Sequence, residues 1–252
     1  MFEKELAFAN ELADRAGEIA MSVFGGSFEV KQKPDQTPVT EADLRIESMV
    51  REGLAERFPA DAILGEEEGM AGHAERVWVV DPIDGTKNFA DGIQIWGTLI
   101  GLAVGGRPVA GVVSAPLLGE RYEAAQGSGA RMNGDSIHVS KVDALPDALV
   151  AYGGLEGWLL GPHKAAFEGI VKEARRTRGL GDFWGHMLVA RGTADAMIEP
   201  DLRTWDTVAV QAIVEEAGGR VTTFDGKSLE DRSSVLTTNG PLHAELTRRL
   251  SG

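Results

Sequence analysis

The stretch with the clearest potential for chemistry is residues 81–86, which read DPIDGT directly after the apolar run 77–80. Aspartate and proline at its first two positions favour a β-turn, which holds the Cα atoms of Asp81 and Asp84 within about 7 Å. Two carboxylates this close repel each other unless cations lie between them. Their oxygens and the main-chain carbonyl of Ile83 are hard ligands, which favours Mg²⁺ or Mn²⁺ over zinc or copper.

The residues that follow this turn favour phosphate chemistry. Backbone N–H groups of Gly85 and Thr86 can bind a phosphate, so that a metal and a phosphate would meet at one place. Further acidic residues support the metal site, because residues 65–68 read GEEE and Trp205 precedes Asp206. An ordinary turn at the end of a strand has the same composition, since Asp, Pro and Gly are common in turns.

The composition is strongly acidic and contains no cysteine. The chain has 25 Lys and Arg residues against 39 Asp and Glu residues, which gives a net charge of −14. A negative field repels nucleic acid, so we expect no such partner, and a phosphorylated substrate needs a local cation. The lack of cysteine excludes thiolate nucleophiles and zinc–thiolate or iron–sulfur centres, and it fits a cytoplasmic location. No apolar run approaches the roughly 20 residues of a membrane span, so we expect no membrane association.

Two helices and a set of strands are predicted to position the acidic motifs. Apolar residues spaced by three and four from Leu6 to Val23 indicate a first helix, and a second is expected from Thr40 to Phe58, after a turn-rich segment at 33–38. Strands are expected at 77–80, 96–104, 109–114 and 121–125, with a hairpin turn at 105–106. This part of the chain is therefore predicted to place two helices on an antiparallel sheet.

The pattern after residue 145 indicates a mixed α/β region. Strands are predicted at 148–152, 194–198 and 220–224, and helices at 162–174, 183–191, 204–217 and 242–250. Because no linker or low-complexity segment separates the two regions, we expect residues 1–252 to form one layered α/β domain. Its sub-regions would be residues 1–144, with the metal motifs, and residues 145–252, with the last metal ligand and the specificity residues.

The motifs, read in order, resemble those of the inositol monophosphatase superfamily. The match runs from VTEAD at 39–43 through GEE at 65–67, DPIDGTKNF at 81–89 and WD at 205–206 to EAGG at 216–219. Several linked motifs in the right order are more specific than any single one. The resemblance implies an αβαβα sandwich, a homodimer, and a phosphomonoesterase that uses two to three Mg²⁺ ions, with Mn²⁺ as a substitute.

The resemblance also implies a role for each matching residue. The implied metal ligands, with Asp81 bridging two ions, are Glu66, Asp81, the Ile83 carbonyl, Asp84 and Asp206. Asp43 and Thr86 resemble the pair that activates the attacking water, with the Thr86 hydroxyl donating to Asp43, and Glu66 completes the catalytic residues. A bound metal lowers the pKa of water and neutralises charge on the phosphoryl oxygens. For Asp206 the alternative is an acid that only stabilises the start of a helix.

Residues 178–186, RGLGDFWGH, depart from typical inositol phosphatases, which carry small residues after the glycine. They are similar to the histidinol-phosphate phosphatase branch of the superfamily. In that interpretation Asp182 and Glu199 bind the ammonium and imidazole groups of L-histidinol phosphate, because a cation gains from nearby carboxylates in a partly desolvated site. Alternatively, the apolar residues of the segment are one side of a packed helix, and Glu199 lies in a surface turn.

We therefore expect a Mg²⁺-dependent enzyme that hydrolyses L-histidinol phosphate, a small phosphorylated metabolite, in histidine biosynthesis. One alternative is an enzyme of the same superfamily that acts on inositol phosphate, fructose 1,6-bisphosphate or a 3′-phosphoadenosine nucleotide. A second alternative is a catalytically silent metal-binding or regulatory protein. The complete set of acidic residues argues against the second alternative, because the loss of one ligand is enough to abolish activity.

Overall fold

The structure is a computed structural model that describes residues 1–26, 30–32 and 38–251. Most of the turn predicted at 33–38 lies outside the described residues. The elements up to residue 137 are α1 (Glu3–Val23), β1 (Val30–Gln32), β2 (Pro38–Thr40), α2 (Glu41–Arg57), β3 (Ala62–Gly65), β4 (Gly69–Ala71), β5 (Arg76–Asp84), α3 (Thr86–Ala90), β6 (Gly97–Val104), β7 (Arg107–Ala115), β8 (Glu120–Ala125), β9 (Ala130–Met132) and β10 (Asp135–Ile137). Those that follow are β11 (Leu149–Tyr152), α4 (Leu155–Leu160), α5 (Lys164–Glu173), β12 (Arg176–Gly179), α6 (Asp182–Ala190), β13 (Ala196–Leu202), α7 (Thr204–Glu216), β14 (Arg220–Thr222), β15 (Ser233–Thr238) and α8 (His243–Leu250).

The first two helices pack on one face of a large sheet. In α1 the buried residues Ala9, Ala13, Ala16 and Ala20 recur every three or four positions, as the sequence predicts. Helix α2 begins with a capping box, in which the Thr40 side chain binds the backbone N–H of Asp43 and the Asp43 side chain binds that of Thr40. This cap fixes Asp43 in the first turn of α2.

The large sheet has eight strands in the order β10-β9-β8-β7-β6-β5-β3-β4. The predicted antiparallel pairing is correct for its strands except that β3 runs parallel to β5. This exception arises because β4 folds back along the outer edge of β3, and the chain then crosses to the other side of β3 as β5. The ends of β3 and β5 consequently lie side by side, with Gly65 opposite Val80, which brings Glu66 next to Asp81.

Helix α7 packs on the opposite face of this sheet, close to its backbone. Two glycines allow the approach, because a Cβ added at Gly101 in β6 would lie 2.7 Å from Val208, and one at Gly111 in β7 would lie 2.4 Å from the carbonyl oxygen of Ala209. Only glycine fits at such distances. The close contact holds the first turn of α7, which carries Asp206, against the sheet.

A second sheet of five strands, β12-β11-β13-β15-β14, lies beyond α6 and α7. Met187 of α6 and Ile213 of α7 pack in one cluster with residues of both sheets, while Trp158 of α4 and Leu246 of α8 cover the far face of the smaller sheet. The layers are helix, sheet, helix, sheet, helix, which confirms the predicted αβαβα sandwich. Among the helices that the structure describes, none combines the length and the apolar character that a bilayer crossing requires.

Candidate active site

A pocket of about 200 Å³ lies where the end of β5, the turn after β3 and the starts of α3, α6 and α7 meet. Its lining consists of Glu66, Asp81, Ile83, Asp84, Gly85, Thr86, Lys87, Asp182 and Asp206. The fold thus brings together every predicted site residue except Asp43 and Glu199, and it adds Lys87. Asp43 and Glu199 are buried beside the pocket, where their charges act on Asp81 and Asp84 respectively.

The β-turn predicted at 81–84 is an irregularity inside β5. The strand continues to Asp84, and its register with β6 shifts between Asp81 and Asp84. Pro82 has no N–H for the ladder, and its carbonyl accepts a hydrogen bond from the Thr98 hydroxyl at 2.8 Å. Side chains three positions apart point to opposite faces of a regular strand, so the irregularity is what lets both carboxylates reach one place.

Three carboxylates form the centre of the pocket. One oxygen each of Asp81, Asp84 and Asp206 lies within 4.8 Å of the others. The Oδ1 atom of Asp81 is buried and has no hydrogen-bond partner among the described residues. Clustered hard oxygen donors of this kind fit a divalent cation such as Mg²⁺.

Burial and mutual repulsion raise the pKa values of these acids. Burial raises the pKa of Asp81 well above its usual range, and the charge of Glu66 adds to the effect. The pKa of Asp84 is also well above its usual range, first through burial and then through repulsion by Asp182. Burial raises the pKa of Asp206 to about 7. A bound divalent cation favours the ionised form of each, since an opposite charge lowers the pKa of a carboxyl.

Asp206 contributes to both the fold and the pocket. It lies in the first turn of α7, where its Oδ2 atom accepts a hydrogen bond from the backbone N–H of Arg203 at 2.7 Å. This is the helix-start acid that the sequence offered as an alternative. Because the same side chain also lines the pocket, the two interpretations of Asp206 are compatible.

The predicted hydrogen bond between Thr86 and Asp43 is not the one in the structure. The Thr86 hydroxyl donates to the carbonyl of Ile83 at 2.9 Å, since a threonine at the start of a helix lies next to the carbonyl three residues earlier. Asp43 is fully buried, and its Oδ2 atom accepts from the backbone N–H of Thr40 at 2.8 Å and from the Thr40 hydroxyl. Thr40 therefore occupies one oxygen of the predicted water-activating carboxylate.

Asp182 begins α6 in the left-handed backbone conformation, with a φ of 56°. The Asn88 side chain donates to its carboxylate at 3.0 Å, and the N–H of the next residue, Phe183, donates to Asp84. Burial raises the pKa of Asp182, whereas Lys87 and the Asn88 hydrogen bond oppose that rise. The left-handed residue thus joins the start of α6 to the acidic cluster.

Glu199 lies next to Asp182 and is buried. It belongs to β13 and is only 6% exposed, so the alternative of a surface turn is wrong. Its carboxylate fills the space left by the missing side chain of Gly153, where an added Cβ would lie 2.1 Å from the carboxylate oxygen. Burial raises the pKa of Glu199 to about 8, and the charge of Asp182 contributes. Asp182 in the pocket lining and Glu199 next to it therefore form a second acidic group beside the cluster of Asp81, Asp84 and Asp206.

Comparison with protein families matches the model of the inositol monophosphatase family over residues 1–251. The chain belongs to the inositol monophosphatase family. This family is metal-dependent, and its members and the relatives below indicate that the chain is a phosphomonoesterase rather than a catalytically silent protein.

Two curated relatives of this family member match nearly its whole length. A histidinol-phosphatase from Streptomyces coelicolor is 42% identical, with 96% of this chain and 95% of the relative covered. A histidinol-phosphatase from Mycobacterium tuberculosis is also 42% identical, with 100% of this chain and 99% of the relative covered. Among solved structures, an inositol monophosphatase from Anabaena superposes with a TM-score of 0.88 at 32% identity, covering 99% of this chain and 96% of that one.

Two residues near the site of this inositol monophosphatase family member were not predicted from the sequence to have a role. Thr40 binds Asp43, and Asn88 binds both Asp182 and the carbonyl of Ile95. Asn88 belongs to the matched motif at 81–89, which is a signal that could have drawn attention to it. Its partner Asp182 lies 94 positions away, and no local pattern reveals such a contact.

Proposed function

We propose that this phosphomonoesterase hydrolyses L-histidinol phosphate to L-histidinol and inorganic phosphate with Mg²⁺, as a step of histidine biosynthesis. The proposal rests on one observation above all, the neighbouring carboxylates of Asp182, which lines the pocket, and of Glu199, which is buried next to it. Such a pair suits a phosphate ester whose far end is cationic. The names of the two full-length relatives support this choice of substrate.

The acidic residues of the pocket are suited to hold two to three Mg²⁺ ions, with Mn²⁺ as a substitute. The proposed ligands are Glu66, Asp81, the Ile83 carbonyl, Asp84 and Asp206. The Ile83 carbonyl can accept from Thr86 and still bind a cation, because a carbonyl oxygen has two lone pairs. When bound, the metal ions lower the pKa of a water molecule and neutralise charge on the phosphoryl oxygens.

The remaining residues orient the reactants. We assign the backbone N–H groups of Gly85 and Thr86 to a phosphoryl oxygen, and Asp43 and Thr86 to the attacking water. In the reaction, the water oxygen forms a bond to phosphorus, the ester P–O bond breaks, and the alcohol leaves with a proton. Thr40 keeps Asp43 in place through its two hydrogen bonds.

Asp182 and Glu199 are proposed to bind the ammonium and imidazole groups of the substrate. Without a cation nearby, burial raises the pKa of both carboxyls, and for Glu199 to about 8, which favours its protonated form at neutral pH. A cation bound beside them lowers these pKa values and gains a charge-assisted hydrogen bond in return. A neutral polyol such as inositol cannot make this interaction.

A panel of phosphate esters tests the choice of substrate. We expect the highest kcat/KM with L-histidinol phosphate, and lower values with inositol 1-phosphate, fructose 1,6-bisphosphate and 3′-phosphoadenosine 5′-phosphate. Inositol 1-phosphate is the second candidate because of the similarity to the Anabaena enzyme. Faster turnover of inositol 1-phosphate than of L-histidinol phosphate would show that the proposed specificity is wrong.

The variant Asp182→Asn tests the amine site. Loss of the carboxylate charge is expected to raise KM for L-histidinol phosphate about 10-fold or more, while KM for inositol 1-phosphate changes much less. Exposed Asp201, which pairs with Arg232, provides the control variant Asp201→Asn. Equal changes in KM for both substrates in Asp182→Asn would remove this residue from the amine site.

We further propose that the enzyme works in the cytoplasm as a homodimer, on small phosphorylated metabolites and without nucleic-acid or membrane partners. Light scattering of the purified protein should give a molar mass twice that of one chain. A monomeric mass at assay concentration would contradict the proposed homodimer.

A further inference from the structure

The turn that carries Glu66 rests on a buried ion pair from α2. Glu47 is 0% exposed, and its carboxylate accepts hydrogen bonds from the backbone N–H groups of Glu67 and Glu68 at 2.8 and 2.9 Å. The same carboxylate pairs with Arg51, one helical turn further along, at 2.8 Å. Hydrogen bonds to an ionised acceptor are stronger than neutral ones, so this turn is held firmly against α2.

Two further contacts, one made by Arg51 and one by the Glu47 carboxylate itself, also hold this turn against α2. The Arg51 guanidinium also donates to the carbonyl of Gly69, where β4 begins. At the start of the turn, a Cβ added to Gly65 would lie 2.1 Å from a Glu47 carboxylate oxygen, so the main chain lies directly against the carboxylate. Glu47 and Arg51 thus contact the segment 65–69 along its whole length.

The same contacts connect α2 with the acidic pocket. The backbone N–H of Glu66 donates to the carbonyl of Val80 at 3.2 Å, and Val80 directly precedes Asp81. The position of Glu66 is therefore set by β5 on one side and by Glu47 on the other. Glu47 follows the buried Asp43 by four residues. One turn of α2 therefore carries Asp43 and also contacts the turn that contains Glu66.

We propose that Glu47 is a positioning residue for the metal site. With Arg51 it holds the turn so that the Glu66 carboxylate faces the acidic pocket. This inference rests on the metal-dependent activity proposed above. Partners that hold a metal ligand in place matter for affinity, and their loss typically weakens metal binding or activity about 10- to 100-fold.

The variant Glu47→Gln tests this role, with Mn²⁺ as the probe. Glutamine keeps the size of the side chain but replaces one acceptor oxygen with an NH₂ group, which cannot accept from a backbone N–H. The matched control is Glu245→Gln, because Glu245 pairs with Arg249 at 2.7 Å in the same four-residue spacing on the remote helix α8. Binding is measured by electron paramagnetic resonance on the metal-stripped full-length protein, and phosphate release is measured against Mn²⁺ concentration.

We expect the Kd for Mn²⁺ to rise about 10-fold or more in Glu47→Gln, and kcat at saturating Mn²⁺ to stay within about twofold of the original protein. Glu245→Gln should bind Mn²⁺ like the original protein. An unchanged Kd in Glu47→Gln, accompanied only by a lower Tm, would make the role of Glu47 purely structural and overturn the proposal.

A second variant decides the question if Glu47→Gln does not fold. Arg51→Lys keeps a positive charge beside Glu47 but lacks the planar fork that also reaches Gly69. A raised Kd for Mn²⁺ in this variant supports the proposal, and an unchanged Kd overturns it. If the original protein itself binds no Mn²⁺, the metal site proposed above fails, and the role of Glu47 fails with it. Normal Mn²⁺ binding by the original protein confines any failure to Glu47.

Discussion

The carboxyls of Asp81, Asp84 and Asp206 can each either bind a proton or help to coordinate a metal ion. Burial raises the pKa of each, and neighbouring carboxylates add to the effect, with Glu66 acting on Asp81 and Asp206 and Asp182 acting on Asp84. A metal has to displace protons from such groups, so metal affinity depends on pH. The residues that make the pocket suitable for Mg²⁺ are therefore also those that give the metal-free protein a distinctive dependence on pH.

The metal-free protein is expected to lose stability as the pH rises from about 7 to about 8.5. The unfolded chain ionises Asp206 and Glu199 near their ordinary pKa values of 3.8 and 4.5, whereas the folded protein ionises them near 7 and 8. In this window the folded state holds more protons than the unfolded state, so the free energy of unfolding falls as the pH rises.

Thermal unfolding in EDTA at several pH values checks this expectation. Burial lowers the pKa values of His186 and His243 to about 3 and about 4, so these histidines make the free energy of unfolding rise with pH, but only up to about pH 6.5. The range from pH 7 to pH 8.5 lies above this opposite effect. Added Mg²⁺ should reduce the fall, because it stabilises the ionised carboxylates. A Tm that rises between pH 7 and pH 8.5 in EDTA would contradict the raised pKa values.

The variant Asp84→Asn should separate catalysis from folding. Asparagine keeps an oxygen for the hydrogen bond from Phe183 but loses the negative charge that a metal needs. We expect kcat/KM to fall by about 100-fold or more. In EDTA at pH 8 the variant should unfold at a temperature no lower than that of the original protein, because asparagine replaces a carboxyl whose ionised form is disfavoured by burial and by the charge of Asp182.

Asp201→Asn is the control for Asp84→Asn, since Asp201 is exposed and pairs with Arg232. It should keep full activity. If Asp84→Asn retained activity within about 10-fold of the original protein, Asp84 would not be a metal ligand.

Among the elements, those with a strong local pattern were predictable from the sequence. The stripe of α1, the start of α2 near Thr40 and the apolar strands β5 to β7 all follow from short-range sequence patterns. Strand β12 (Arg176–Gly179) was missed because it is a mostly exposed polar edge strand without alternation. Strand β15 (Ser233–Thr238) was missed because its place between β13 and β14 depends on distant partners.

Some features of the site follow from a short stretch of sequence, whereas others depend on residues that are far apart in the chain. The motif at 81–86 is local, and apart from Lys87 the resemblance named the residues that line the pocket. The support of the site is not local, because Glu47 lies 20 positions from Glu67, and Asn88 lies 94 positions from Asp182. Contacts of that range follow from the packing of α2 and α6, which no single segment encodes.

The contact between α7 and the large sheet leads to a prediction for Gly111. The variant Gly111→Ala should destabilise the protein by about 1–3 kcal/mol, because its Cβ would lie 2.4 Å from the carbonyl oxygen of Ala209. It should also raise the Kd for Mn²⁺, since the shift moves the first turn of α7 with Asp206.

Helix α5 provides the control for Gly111→Ala. A Cβ at Gly169 would meet nothing within 4 Å, and alanine is favoured over glycine in a helix by about 1 kcal/mol. Gly169→Ala should therefore leave stability unchanged or raise it, with Mn²⁺ binding intact. Equal stability of the two variants in urea unfolding would show that α7 does not need the glycine at position 111.

For the whole molecule, the net charge of −14 first argued against a phosphorylated substrate. The fold changes this expectation, because it collects acids from β5, α6 and α7 into one pocket that suits cations. Metal ions bound there would supply the positive charge that a phosphate ester requires. The division of one domain into sub-regions 1–144 and 145–252 stays a prediction, as does the homodimer.

We propose that this chain hydrolyses L-histidinol phosphate with metal ions held by the acidic pocket. Phosphate release from L-histidinol phosphate by the EDTA-stripped protein, before and after addition of Mg²⁺, tests it most directly. We expect negligible release without metal and full activity once Mg²⁺ is restored. Undiminished phosphate release by the stripped protein, or no release in the presence of Mg²⁺, would contradict it.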